Sequence, residues 1–201
     1  MNLYRSVAVT FLSATLVVGC AFTTIRKVYR DPEFRSESIR HVLIVGQFEN
    51  QDNRKIFENE FVQQWKTRGV DAVSSLEVFP SSAPLTKAEI APFAKAHGFD
   101  TVLVARVIER KAIQPGEPAV ASVEPDTETA YRETNATLDV LLAPPVSTSE
   151  FTLATVATNL YDVPSERRLW AGWSQTEVMK RIPKLIPPYV HLILKQLYAS
   201  H

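Results

Sequence analysis

HVLIVGQFENQDNRKIFENEFVQQWKTRGVDAV, residues 41–73, decides the fold of this 201-residue chain. Val42-Leu43-Ile44-Val45 is an unbroken β-branched and aliphatic run, the pattern of a strand buried on both faces. A helix is predicted from about Asn53 to Arg68. Ile56, Phe57, Phe61 and Trp65 recur there at three- and four-residue intervals, which gathers them on one apolar face and leaves Arg54, Lys55, Glu58 and Lys66 in water. Arg54 and Glu58 also stand four apart on one helix face and can pair. Gly69 supplies the usual helix stop, and Val70 to Val73 reads as a short strand. The unit is β-α-β.

Downstream, Pro80 to Pro84 is a loop. Thr86 and Glu89 have the spacing of a capping box, with Leu85 and Ile90 placed as a hydrophobic staple. Pro92 lacks the donor a helix interior wants, so an irregular first turn is expected, with regular helix from Pro92 to His97 and Gly98 ending it. Thr101 to Ile108 is a strand. Residues 112–131 contain Pro115, Gly116, Pro118 and Pro125 among Glu117, Glu124, Asp126 and Glu128, which reads as a mobile acidic loop. Thr134, Ala136, Leu138, Val140 and Leu142 alternate with polar residues as in a half-buried strand. Phe151 to Tyr161, a turn at Asp162–Glu166 and Arg167 to Val178 form a hairpin. Pro187 or Pro188 can start a last helix, with Val190, Ile193, Leu194, Leu197 and Tyr198 on one face. The order is β-α-β-α-β-β-β-α. The class is α/β or α+β: one domain over residues 41–201, with helices on a mixed sheet of about five to six strands.

Upstream, Met1 to Arg5 is a short basic start and Ser6 to Gly19 is uncharged, the layout of a secretory signal peptide over residues 1–19. Val17-Val18-Gly19-Cys20 resembles the lipobox of bacterial lipoproteins, whose cysteine is lipidated and becomes the first mature residue. Two other readings of the same run are an uncleaved membrane anchor and a soluble chain with a buried thiol. Arg26, Lys27 and Arg30 follow closely; on a lipoprotein they meet the anionic headgroups. Residues 20–40 are polar and mixed in charge, and read as a lipidated tether reaching at most ~65 Å. Loss of Arg5 with the leader leaves 21 basic against 22 acidic residues, a balance that excludes the basic face of a nucleic-acid protein. Cys20 is the one cysteine, so no disulfide within the chain is available.

Leu43-Ile44-Val45, Arg54-x-x-Phe57-Glu58-x-x-Phe61-Val62 and Gly69-Val70-Asp71-Ala72-Val73-Ser74 resemble a family of uncharacterised bacterial envelope lipoproteins. The resemblance continues through Gly98-Phe99-Asp100-Thr101-Val102-Leu103-Val104, Thr158-Asn159-Leu160-Tyr161-Asp162 and Leu169-Trp170-Ala171-Gly172. It implies a fold similar to the amino-terminal domain of the Tol translocation protein, to penicillin-binding-protein activator lipoproteins and to the curli secretion lipoprotein. Those relatives bind proteins or assemble into rings. Ala21 after the lipidated position resembles the sorting rule that sends lipoproteins to the outer membrane, facing the periplasm.

Catalytic patterns are sparse. No two of the six glycines are close enough for a phosphate-cradling loop, and His41, His97, His191 and His201 have no metal-ligand spacing. His97 is expected at a helix C-terminus, where it complements the dipole, and His191 is expected partly buried in the core. Asp100 is expected to satisfy backbone donors in a helix-to-strand turn, and Asp139 lies on the polar side of its strand. Trp170 and Trp173, three apart on a strand, point to opposite sides of the sheet; one is expected in the core, and the other is a candidate partner contact. Trp65 is expected to pack the first helix onto the sheet. The sequence thus points to a non-catalytic binding or scaffolding module, held to the membrane through lipid at Cys20. Its expected partner is an envelope protein or another copy of itself, contacted through the acidic loop and an exposed hairpin edge. No cofactor, metal, nucleic acid or small-molecule substrate is expected. The alternative is an envelope hydrolase using carboxylates in a cleft.

Overall fold

Val42, Leu43, Ile44 and Val45 are fully buried in strand β2 (His41–Gln47), as their continuous apolar character requires. A computed structural model describes residues 23–79, 85–113, 151–178 and 181–199. Around β2 lie β1 (Thr23–Arg30), β3 (Asp71–Ser74), β4 (Thr101–Ile113), β5 (Phe151–Asp162) and β6 (Arg168–Val178), in the sheet order β1-β6-β5-β4-β2-β3. β3, β2 and β4 are parallel, whereas β5, β6 and β1 add on antiparallel. The helices are α1 (Gln51–Lys66), the single turn α2 (Ser75–Val78), α3 (Lys87–Ala96) and α4 (Ile186–Leu197). The chain is one mixed α+β domain with an open sheet.

The two faces of the sheet follow from side-chain alternation along each strand. Val42, Ile44, Leu103, Val156, Leu160 and Trp170 face α1 and α4 in the main core. Leu43, Val45 and Val102 face α3, with Leu85, Ile90, Ala94 and Phe99, in a second cluster. The chain moves outward from β2 to β3 through α1 and back across β2 to β4 through α3, so right-handed crossovers put the two helices on opposite faces. Gly69 (φ +74°) and Gly98 (φ +70°) close α1 and α3 in the left-handed conformation, as their positions predict.

Thr86 caps α3: its backbone N–H (2.8 Å) and its hydroxyl (2.7 Å) both donate to Glu89. These bonds hold the Glu89 carboxyl below its ordinary pKa. The expected irregular first turn is absent. The helix is regular from Lys87, with Pro92 inside it, because the missing donor falls early enough to forfeit one bond near the N-terminus. Pro187 and Pro188 open α4. The turn at Asp162–Glu166 joins β5 to β6, with Ser165 N donating to Asp162 Oδ2 at 2.8 Å.

The main correction concerns the tether expected over residues 20–40, of which residues 20–22 lie outside the described ones. No tether runs from Thr23 to Arg40. Thr23–Arg30 is the edge strand β1, paired antiparallel with β6 from Thr23↔Thr176 to Arg30↔Trp170, with a bulge at Arg26. Phe34 and Ile39 are buried in the main core, and Asp31 N donates to Leu169 O at 2.9 Å. Thr23–Arg40 is therefore part of the folded domain, upstream of His41, where the domain was expected to open. β1 eludes periodicity because most of its side chains are exposed; what holds it is the backbone ladder to β6. The hairpin edge expected to be open, the outer side of β6, is covered by β1. Ala112 and Ile113 belong to β4, with Ile113 buried. The rest of the acidic loop, the loop at 80–84 and the strand expected from Thr134 lie outside the described residues.

Candidate functional site

Polar chemistry gathers at the carboxyl ends of β2 and β3, the end of parallel strands where α/β folds ordinarily receive ligands. Asn50 caps α1 there, its side chain accepting from Asn53 N at 2.9 Å. One turn on, Arg54 and Glu58 turn inward. This contradicts the expectation that both stay in water: Arg54 is 2% exposed and Glu58 0%. Glu58 Oε1 accepts from Arg54 Nε (2.9 Å), Gly46 N (2.9 Å) and Ser75 Oγ (2.8 Å). Its Oε2 accepts from Ser74 Oγ (2.5 Å) and Leu76 N (3.1 Å). Arg54 Nη2 in turn donates to Ser75 Oγ at 2.9 Å. The pairing at four-residue spacing is as anticipated, but its setting is not a surface bridge worth tenths of a kcal/mol. A buried carboxylate this completely engaged fastens β2, α1, β3 and α2 together.

A second polar group lies under α4. The Tyr189 hydroxyl meets Thr158 Oγ1 at 2.7 Å and accepts from Ser174 Oγ at 3.4 Å, joining α4 to β5 and β6. Burial raises the Tyr189 phenol above its ordinary pKa, and the bonds with Ser174 and Thr158 oppose that shift.

A groove of about 730 Å³ runs along β1, residues 31–37 and the end of α4. Arg30 lies in it with its guanidinium over the Phe34 ring (5.2 Å). It donates to the last carbonyls of α4, Gln196 at 3.4 Å and Leu197, and to that of Ala199 just beyond at 3.3 Å. A cation there complements the helix dipole, and desolvation lowers the Arg30 pKa. Tyr198, beside it, accepts from Trp65 Nε1 at 3.1 Å, and burial raises its pKa. The Arg30 guanidinium is thus committed to capping a helix. A smaller pocket of about 40 Å³ between α3 and the hairpin turn is lined by Ile90, Val102 and Val104, with the Lys87–Glu166 ion pair (2.7 Å) at its rim.

The predicted site residues are scattered. Cys20, Asp139 and His201 lie outside the described residues. Trp170 and Trp173 do point to opposite faces, Trp170 into the main core and Trp173 against Ala157 and Ala171. Neither is an exposed anchor, since they are 0% and 3% exposed. Trp173 lies among flat alanines beneath Lys27, whose ammonium is 5.9 Å from its ring. Trp65 packs as expected, fully buried between sheet and helices. Asp100 satisfies backbone donors, those of Arg40 (2.7 Å) and His41 (2.9 Å) at the start of β2 and not those of its own turn. His97 caps α3, Nδ1 donating to Phe93 O at 2.9 Å. His191 is exposed, not part of the core. Among the described residues no three His, Cys, Asp or Glu side chains converge as a metal site would need, and no helix is long and apolar enough to cross a membrane. Sequence reasoning missed Arg30 and the inward turn of Arg54 and Glu58. The short spacing of Arg54 and Glu58 is the one local signal of either.

No protein-family model matches the chain, and no curated protein does. The chain is similar in fold to PelC. That protein, from Paraburkholderia phytofirmans and crystallised as a dodecamer, superposes with a TM-score of 0.51 at 12% identity, over 89% of this chain and 99% of its own. At that identity the likeness is one of fold alone. Lipoprotein GNA1162 from Neisseria meningitidis is a more distant structural neighbour, with a TM-score of 0.43 and 12% identity over 80% of this chain and 99% of its own.

Proposed function

We propose that this chain is a lipid-anchored protein of the bacterial cell envelope whose domain binds or scaffolds other envelope proteins and performs no catalysis. The observation that carries the reading is the apolar run ending in Val17-Val18-Gly19-Cys20 behind a short basic start. Acyl chains on Cys20 hold the domain at the membrane, and Ala21 directs it to the outer membrane, facing the periplasm. The motif likeness to envelope lipoproteins supports this, and extends it to kinship with the Tol amino-terminal domain and the penicillin-binding-protein activators. The fold shared with a PelC subunit, which assembles as a dodecamer, supports self-association as one form of the scaffold. In keeping with a non-catalytic role, the buried carboxylate Glu58 is saturated by donors and Asp100 is bound to backbone.

Intact-mass spectrometry and detergent-phase partitioning test the anchor. The mature chain is expected to begin at Cys20, carry acyl mass and enter the detergent phase. Cys20→Ser is expected to retain its leader and lose the acyl mass. A Cys20→Ser chain processed and partitioned like the unaltered one overturns the reading. Sedimentation of the detergent-solubilised chain, with crosslinking in cells, tests the scaffold: homo-oligomers or a reproducible envelope partner are expected, and a solitary monomer that turns over a small substrate refutes it.

A further inference from the structure

We infer that the edge strand β1 is a membrane-docking surface, lying against anionic phospholipid headgroups so that the sheet stands edge-on to the bilayer. The inference deepens the proposed lipid anchoring and rests on it for the location of the membrane. Two residues, Ala21 and Phe22, separate Cys20 from Thr23, the first residue of β1. The six residue-to-residue steps from Cys20 to Arg26 span at most ~21 Å, so a lipid on Cys20 cannot let the domain roam. Whatever faces the bilayer must be near β1.

The surface of β1 suits that neighbour. Arg26 and Lys27 are exposed, and no acid lies on β1 or on its paired β6 stretch Trp173–Thr176. Val28 and Tyr29, at 40% and 38% exposure, are the large apolar side chains left in water among the described residues. The Tyr29 ring carries the Arg168 guanidinium 4.9 Å from its centre. Cations beside an aromatic with a polar tip are the composition that settles at a headgroup layer. A protein partner adding a strand is disfavoured, because the bulge at Arg26 and the two exposed cations are the devices that keep a sheet edge from pairing. The opposite edge, β3, lies five strand spacings away, about 24 Å, and with α1 is turned to the aqueous side.

The full, acylated chain in vesicles tests this. Acylation of Lys27 by an amine reagent is followed by mass spectrometry in vesicles of phosphatidylcholine with phosphatidylglycerol, in phosphatidylcholine alone and in neutral detergent micelles. Lys55, exposed on α1, is the internal reference. Lys27 labelling relative to Lys55 is expected to slow about fivefold in anionic vesicles, the gain typical of one basic residue at such a surface. The slowing is expected to shrink in Arg26→Gln. Equal labelling in anionic vesicles and detergent overturns the docking. Protection already complete in micelles, with an oligomeric sedimentation mass, also overturns it and makes β1 a subunit contact. Intact mass is read in parallel: acyl groups with an unprotected Lys27 sink the docking surface alone, whereas protection in anionic vesicles without acyl mass sinks the lipid anchor and leaves the surface standing.

Discussion

The parallel half of the sheet, β3-β2-β4, and the antiparallel half, β5-β6-β1, are built by different means. In the parallel half, α1 and α3 cover both faces, so the strands are continuous apolar runs and the helices are amphipathic. Its buried ion pair, Arg54–Glu58, is interior and fully bonded, whereas the His41–Asp71 contact and the Lys87–Glu166 pair lie at its periphery. In the antiparallel half α4 covers one face, the strands mix Thr, Ala, Gln and Ser with two tryptophans, and the outermost strand is mostly exposed. Charge there is peripheral: Arg167 reaches Glu33 at 3.0 Å and Arg30 caps α4. The difference teaches that polarity in this chain does not report burial. The most buried charges and the most exposed ones both occupy segments that look solvated.

The largest effect should come from breaking the interior pair of the parallel half. Glu58→Ala leaves the Arg54 guanidinium buried without its carboxylate, and about 3–5 kcal/mol of stability should vanish in urea unfolding. Glu58→Met combined with Arg54→Met should recover much of that. A Glu58→Ala chain as stable as the parent would place the pair in water after all.

Next in size is a packing test of the antiparallel half. The Trp170 ring folds over Gly172, two residues along the same strand, so a Cβ there would lie 2.4 Å from Trp170 Cη2. Gly172→Ala should cost about 1–3 kcal/mol in thermal or urea melts, accompanied by a changed tryptophan emission. An unchanged melt would mean that the indole lies elsewhere. The Leu169-Trp170-Ala171-Gly172 motif thereby acquires a physical reason: a glycine makes space for its neighbour's ring.

Tyr189→Phe probes how α4 holds to that half. Loss of the bonds to Thr158 and Ser174 should cost about 1 kcal/mol at neutral pH. The folded phenol titrates above its ordinary value of 10.0 because it is buried, so its contribution is intact below about pH 10 and fades as pH rises through the folded-state value. The urea midpoint of the parent should therefore fall more steeply above pH 10 than that of Tyr189→Phe. Parallel slopes would show that the hydroxyl is hydrated.

Legibility follows the same division. The strand at Val42–Val45, the capping box at Thr86, the glycine stops at Gly69 and Gly98, the hairpin turn and the last helix are all local patterns, and each is found. Arg54 and Glu58 were legible as a pair but not as an interior one. The four-residue spacing establishes proximity, whereas Ser74, Ser75 and Gly46, which make burial tolerable, come from other elements. Trp170 and Trp173 were legible as opposite-facing. That both are covered depends on what lies over each face, which strand alternation leaves open. β1 was illegible for want of an apolar face, although Thr23-Thr24-Ile25 and Val28-Tyr29 carry strand-prone residues.

By itself the sequence determined a sheet-and-helix class, most of the strands and helices and the glycines that stop two of them, because each is written in side-chain pattern over adjacent residues. Tertiary structure alone decided that Thr23–Arg30 closes the sheet, that Arg30 caps a helix 166 residues away and that Glu58 lies in the interior. Those outcomes arise from backbone hydrogen bonds and from partners distant along the chain, and neither leaves a period in the residues that take part.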